Sequence, residues 1–202
     1  MNSKLIEKSG VKIHSSADVS EESQIGKGTL IWNFAQVREN SKIGVNCILS
    51  KGVYIDCNVI VGNNVKIQNG VSLYDGNIVE DDVFIGPHAT FTNDLQPRAF
   101  NKDWTITKTL LRKGCSIGAN ATIIAGNTVG AFAMVAAGSV VTSDVASFSL
   151  VKGNPARLVG FVCRMGHKMK QTNKSTEKVR YYCEHCNEEI TFDMDIKTSS
   201  QE

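Results

Sequence analysis

The stretch from Ile43 to Ile85 reads IGVNCILSKGVYIDCNVIVGNNVKIQNGVSLYDGNIVEDDVFI, and every sixth residue in it is apolar. The same register begins at Ile13, fills fourteen of fourteen positions up to Phe91, and resumes from Leu111 to Val141. An α-helix repeats about every 3.6 residues and a strand every two, so neither explains the pattern. A coil with flat faces does explain it, because each face uses six residues and turns one apolar side chain inward.

A second inward position follows four residues after each apolar anchor and is mostly small or β-branched, with Asn77 and Asn127 as exceptions. Gly26, Gly44 and Gly62 are spaced eighteen residues apart, which is one coil of three faces. We expect this column to need positive φ or close backbone approach. The sequence therefore predicts an all-β fold, a parallel β-helix of hexapeptide repeats with about seven coils. The period does not determine its handedness.

The chain has 202 residues and a net charge of +2. We divide it into a β-helix domain at 1–160, with an excursion at about 92–110, and a small Cys- and His-containing tail at 161–202. Dispersed basic residues give no basis for nucleic-acid binding, and no apolar run is long enough to span a membrane. Because no secretory signal is visible, we expect a cytoplasmic protein with reduced thiols and no membrane partner.

Several segments of the chain resemble a known family. KIQNGVSLYDG, FTND with a following PR, the tryptophan of the excursion and GNPAR are similar to motifs of the hexapeptide-repeat N-acyltransferases that modify nucleotide-linked amino-deoxy sugars. The resemblance implies a left-handed β-helix and a homotrimer with sites between subunits. It also implies acyl-CoA, by default acetyl-CoA, as cosubstrate and a dTDP- or UDP-linked amino sugar as acceptor. Such enzymes serve the biosynthesis of lipopolysaccharide or other surface glycans.

Two residues are candidates for the chemistry of acyl transfer. The resemblance assigns Asp94 to the amine, where a carboxylate orients the amine or accepts its proton; the alternative is that Asp94 only forms a turn. His88 is the rival base and suits a hexapeptide O-acetyltransferase acting on a sugar hydroxyl. A scaffold protein would need neither the excursion nor GNPAR, and a zinc carbonic anhydrase would need more histidines than the coils contain.

The remaining candidates are binding residues, each equally compatible with a solvated face or a coil corner. For the nucleotide sugar we select Asn33, Lys66, Gln68, Asn69, Tyr74, Asn93 and Arg98, with Arg38 as a further cation for the pyrophosphate. For coenzyme A we select Ala119, Ala137, Gly138, Lys152 and Arg157.

The tail contains Cys163 and His167 in a Cys-x-x-x-His pair, then Cys183 and Cys186 in a Cys-x-x-Cys pair. Three thiolates and one imidazole form a ligand set for structural zinc, which would stabilise a segment too small for its own core. Related tails with four cysteines would have a further cysteine where this chain has Met165. A metal-free β-hairpin or a mobile tail is the alternative.

Overall fold

The computed structural model describes residues 5–174 and 178–193, and every regular element in those ranges is a β-strand. Most strands are two residues long and stack in parallel into the three faces of a prism. Face A holds, besides two antiparallel strands at its ends, β2 (Val11–His14), β5 (Leu30–Ile31), β8 (Ile48–Leu49), β11 (Lys66–Ile67), β14 (Phe84–Ile85), β17 (Ser116–Ile117), β20 (Met134–Val135) and β22 (Ser149–Lys152).

The other two faces repeat this arrangement. Face B consists of β3 (Asp18–Val19), β6 (Gln36–Val37), β9 (Tyr54–Ile55), β12 (Ser72–Leu73), β15 (Thr90–Phe91), β18 (Thr122–Ile123) and β21 (Val140–Val141). Face C consists of β4 (Gln24–Ile25), β7 (Lys42–Ile43), β10 (Ile60–Val61), β13 (Asn77–Val79), β16 (Thr109–Leu111) and β19 (Thr128–Val129). The predicted β-solenoid is confirmed, although face A has eight parallel strands and so about eight coils instead of the predicted seven, and its handedness stays a prediction.

The core is the stack of apolar anchors. Every anchor from Ile31 to Val141 is buried, whereas Ile13, Val19 and Ile25 are only partly buried because they lie in the first coil, with no coil beneath them. Asn77 and Asn127 also point inward, and each side-chain amide donates to the carbonyl three residues earlier, at 2.7 and 2.8 Å. These two residues therefore keep the second inward position by forming a local hydrogen bond.

The glycine column is explained by close approach and not by positive φ. A Cβ on Gly26 would lie 2.5 Å from the backbone carbon of Gly44, and a Cβ on Gly44 would lie 2.5 Å from the carbonyl oxygen of Gly62. None of the three has positive φ. Any side chain at this corner would collide with the backbone of the next coil.

The chain ends in antiparallel structure. β1 (Leu5–Lys8) pairs with β2 at one end of face A, and β23 (Arg157–Phe161) folds back on β22 at the other. The tail forms a separate three-stranded antiparallel sheet from β24 (Lys170–Lys174), β25 (Lys178–Cys183) and β26 (Glu188–Asp193). Residues 1–4, 175–177 and 194–202, which belong to the two predicted domains, lie outside the described residues.

Candidate active site

The candidate residues fall on two different edges of the prism. We call the edge where the chain passes from face A to face B the AB corner, and the next edge the BC corner. His88 lies on the AB corner and Asp94 on the BC corner, separated by β15. One chain therefore does not bring these two residues together in one cleft.

The AB corner is a regular column of backbone turns. From the second coil onward one residue in each coil has a left-handed conformation, with φ of 57° at His88 and 70° at Gly138. The N–H of each donates to the carbonyl of the preceding coil, at 2.9 Å from His88 to Asn69 and 2.8 Å from Gly138 to Ala119. Left-handed φ is uncommon outside glycine, but histidine and asparagine adopt it more readily than most other residues.

The five residues predicted to bind coenzyme A lie together at the C-terminal end of this column. Because Val135 pairs with Val151, Lys152 lies directly above the coil corner that contains Ala137 and Gly138, and Arg157 pairs with Lys152. Both basic side chains are exposed. The N–H groups of Ala119 and Ala137 donate to no acceptor within the described ranges. This end of the corner thus combines free amide donors with two cations.

The excursion leaves the solenoid at the BC corner and covers residues 92–108. It ends two residues earlier than predicted because Thr109 and Leu110 pair with Asn77 and Ile78 in face C. The base of the loop is closed by the N–H of Thr107, which donates to the carbonyl of Asn93 at 2.9 Å.

Asn93 has a structural contact as well as its predicted binding role. Its side-chain amide donates to the carbonyl of Asp75 in the coil beneath, at 3.2 Å. The Thr92 hydroxyl accepts the N–H of Ala125 from the coil above, at 2.8 Å. These contacts fix the base of the loop to both neighbouring coils.

Asp94 forms the turn that was its alternative role, yet one of its oxygens stays available. Its Oδ1 accepts the N–H of Gln96 at 2.7 Å, while its Oδ2 accepts no hydrogen bond from residues 5–174 and 178–193. The half-buried carboxylate lines a depression of about 240 Å³ between the two limbs of the loop, together with Trp104 and Asn101. The turn therefore orients the carboxylate, and a ligand can still contact it.

A polar cluster on the BC corner was not predicted from the sequence. Arg38 donates to Asp56 Oδ1 at 3.1 Å and also pairs with Glu39, so its charge is already matched by two carboxylates. The Tyr54 hydroxyl donates to Asp56 Oδ1 at 2.9 Å. Burial works to raise the pKa of Asp56, but hydrogen bonds from the Cys57 N–H and the Tyr54 hydroxyl lower it below its ordinary value.

This cluster could have been anticipated from spacing. Arg38 and Asp56 are eighteen residues apart and so lie one above the other in adjacent coils. Because Arg38 is already neutralised, it is a weaker pyrophosphate ligand than an unpaired cation.

The remaining candidates are spread over the surface. Lys66 lies on face A with an exposed side chain, and Gln68, Asn69 and Asn33 lie on the AB corner. Tyr74 and Arg98 belong to the other edge. The Tyr74 ring is 5.9 Å from that of Tyr54, and Arg98 Nη1 donates to the Pro97 carbonyl at 2.8 Å.

The four tail residues Cys163, His167, Cys183 and Cys186 lie together. Their ligand atoms are all within 4.8 Å of one another. Met165, which stands where a fourth tail cysteine would be expected, is exposed and outside this group.

The comparisons with known proteins agree with this fold. The family model described as the hexapeptide repeat of succinyl-transferase matches residues 39–75 and 113–143. WeeI from Acinetobacter baumannii AYE has a TM-score of 0.51 and 23% identity, with 74% of this chain and 57% of that chain covered. The fold is thus a β-solenoid, and two segments of its coils match the hexapeptide-repeat model.

Two relatives indicate what kind of solenoid it resembles. The chain is 54% identical over 63 residues to the dTDP-3-amino-3,6-dideoxy-alpha-D-galactopyranose 3-N-acetyltransferase of Aneurinibacillus thermoaerophilus, covering 31% of this chain and 33% of that protein. It is 33% identical over 103 residues to serine acetyltransferase 4 of Arabidopsis thaliana, covering 51% of this chain and 29% of that protein. The chain thus spans about a third of the length of the curated relatives it matches. Within the described ranges, no helix could cross a membrane.

Proposed function

We propose that this protein transfers an acetyl group from acetyl-CoA to the amino group of a nucleotide-linked amino-deoxy sugar. The observation that carries the proposal is the recess of the loop, where Asp94 offers one carboxylate oxygen beside Trp104. The similarity to a dTDP-amino-sugar N-acetyltransferase supports this class of acceptor. We place the reaction in the cytoplasm, among the steps that prepare surface-glycan precursors, because both substrates are activated metabolites.

In the proposed reaction the free amine attacks the thioester carbonyl carbon, a C–N bond forms, and the C–S bond then breaks. Asp94 Oδ2 accepts a hydrogen bond from the amine and so aims its lone pair at the carbonyl. A free backbone N–H on the AB corner stabilises the negative charge that develops on the carbonyl oxygen. Asp94 Oδ2 accepts the proton that the amine loses and passes it to the departing thiolate.

Coenzyme A is expected to lie along the AB corner. The amides of Ala119 and Ala137 are free to donate to the pantetheine carbonyls, and Lys152 and Arg157 are placed for its phosphates. The nucleotide sugar is expected near the loop, with Tyr74, Asn93 and Arg98 on the same side. Lys66 would approach it from face A, and Gln68, Asn69 and Asn33 would approach it from the AB corner.

This arrangement supports a homotrimer, because the two halves of the proposed site lie on different edges of each chain. A neighbouring copy would bring its BC loop to the AB corner of the first copy, and three copies related by rotation would close the ring. Mixing two impaired variants, Asp94→Asn and Gly138→Leu, tests this when acetyl-CoA is kept too dilute to saturate Gly138→Leu. Shared sites predict that random mixing restores roughly a quarter of wild-type activity. Sites built within one chain predict no restoration.

Asp94→Asn and His88→Ala test the chemistry. On an amino-sugar nucleotide we expect Asp94→Asn to lower kcat by about 10²-fold or more, since an amide cannot accept the proton. His88→Ala should reduce it much less, because an amine is already a good nucleophile.

One observation favours the alternative, an O-acetyltransferase with His88 as base: His88 shares its corner column with the coenzyme A residues. Loss of activity in His88→Ala with Asp94→Asn fully active would support that alternative and overturn the assignment of Asp94.

A further inference from the structure

We propose that Cys163, His167, Cys183 and Cys186 bind one zinc ion, which fastens the tail sheet to the end of the solenoid. The four residues come from two separate turns of the chain, yet their ligand atoms lie within 4.8 Å of one another. This site is independent of the proposed acetyl-transfer site, because its residues belong to neither the AB corner nor the loop.

Four of the six distances between the ligand atoms are close to those of a tetrahedral zinc site. Zinc binds sulfur at about 2.3 Å and nitrogen at about 2.0–2.1 Å, which places two sulfurs about 3.8 Å apart and a sulfur and a nitrogen about 3.6 Å apart. Here Cys163 Sγ and Cys186 Sγ are 3.7 Å apart. His167 Nδ1 is 3.6 Å from Cys163 Sγ, 4.0 Å from Cys183 Sγ and 3.4 Å from Cys186 Sγ.

The chemistry of the donors favours zinc over the other uses of cysteine. A disulfide needs its two sulfurs about 2.05 Å apart, whereas the sulfurs of Cys163 and Cys186 are 3.7 Å apart and all six cysteines are free. Three thiolates and an imidazole suit zinc and not magnesium or calcium, which prefer oxygen. Protein atoms fill all four positions, so the site is structural and offers no place for a reacting water.

Two turns of the backbone contain the two halves of the site. Cys163 and His167 form a tight turn after β23, in which the Cys163 N–H donates to the His167 carbonyl at 3.0 Å. Cys183 ends β25, and Cys186 lies in the turn that leads to β26. Zinc would thus join the end of face A to the tail sheet.

The part of the tail that surrounds the four ligands has a small core. Its buried cluster consists of Cys163, Met169 and Cys183, with three partly buried neighbours. Below about 70 residues a core this small needs a covalent or metal cross-link.

The face that zinc would hold in place is aromatic. Phe148 of the last coil stacks on Phe132 of the coil before it, with ring centroids 5.3 Å apart. The Phe192 ring of the tail sheet meets Phe148 at 6.3 Å and Phe161 at 4.4 Å. The tail sheet therefore packs on the outer side of the last two coils, where the chain passes from face C to face A.

The test is the zinc content of the tag-free protein, measured by plasma mass spectrometry. We expect about one zinc per chain for the wild type and at least a tenfold loss in Cys183→Ser/Cys186→Ser and in His167→Ala. His185→Ala is the matched control. Its ring is 4.7 Å from that of His167, but His185 lies outside the ligand group, so this variant should keep its zinc.

A second measurement needs no variant and so does not depend on the mutants folding. In the native protein, a chelator should lower the melting temperature and make three more thiols reactive, and added zinc should reverse both effects. Cobalt in place of zinc should show the absorption bands of a tetrahedral thiolate site. A metal-free wild type that takes up neither ion, iron in place of zinc, or zinc loss in His185→Ala equal to that in His167→Ala would overturn the assignment.

Discussion

Gly138 and Gly52 provide a matched pair for testing where coenzyme A binds. Both occupy the left-handed position of the AB corner, with φ of 70° and 67°. A Cβ added to either would meet no atom within 4 Å, so an added Cβ causes no clash at either position. The two differ in height along the column: Gly138 is among the residues proposed for coenzyme A, and Gly52 lies nearer the other end.

Leucine at either position should cost the same stability and give different binding. A left-handed φ costs a residue with a Cβ about 1–2 kcal/mol, and the two φ values are nearly equal. In Gly138→Leu the new side chain occupies the proposed path of the pantetheine arm. We expect the affinity for coenzyme A to fall at least tenfold, which corresponds to about 1.4 kcal/mol. Gly52→Leu should bind as the wild type does.

Titration calorimetry with coenzyme A measures the affinity, and thermal unfolding checks that the two variants lose stability equally. Wild-type affinity in Gly138→Leu would refute the proposed path. Equal loss of binding in Gly52→Leu would show that distortion of the corner, and not a blocked path, is responsible.

Three further predictions concern the scaffold. Leu73→Ala removes a fully buried anchor and should lower the free energy of unfolding by about 2–5 kcal/mol in chemical denaturation, whereas less than 1 kcal/mol would contradict the role of the anchors. Burial raises the pKa of Cys115 to about 12, so at pH 8 iodoacetamide should leave this thiol unmodified in the native protein and modify it in the unfolded protein, as read by mass spectrometry. The pKa of Asp56 is lowered on folding, so its stabilising effect exists above the ordinary carboxyl pKa and disappears as the pH falls through the lower folded value. The stability advantage of the wild type over Asp56→Asn should therefore shrink in acid, and an advantage independent of pH would contradict the assigned cause.

The coil could be predicted from the sequence because its signal, an apolar residue at every sixth position, is visible along the chain itself. Each anchor, such as Leu73 or Phe91, faces inward by virtue of its position in the period, with no knowledge of distant contacts. Residues that depart from the apolar pattern could be identified in the sequence, but the contacts that explain them could not. That Asn77 bonds to the Tyr74 carbonyl, or that Gly44 touches the next coil, depends on three-dimensional spacing.

The candidate site was harder to predict because it depends on which edge of the prism each residue occupies. Asp94 and His88 are close in sequence but lie on different corners, and counting residues per face would have separated them. The ion pair of Arg38 with Asp56 also follows from the spacing of eighteen, yet the conformation of the loop around Asp94 does not. Residues 92–108 have no period, so only the structure places Trp104 beside the carboxylate.

The central claim, acetyl transfer to a sugar amine, is tested most directly by a single assay. Purified protein is incubated with acetyl-CoA and a panel of dTDP- and UDP-linked 3- and 4-amino sugars, while thiol release and the mass of each product are followed. We predict saturable thiol release with at least one amino sugar and a product carrying one acetyl group on nitrogen. Acetylation on oxygen alone, or no product from any amino sugar together with no uptake of coenzyme A, would contradict the account.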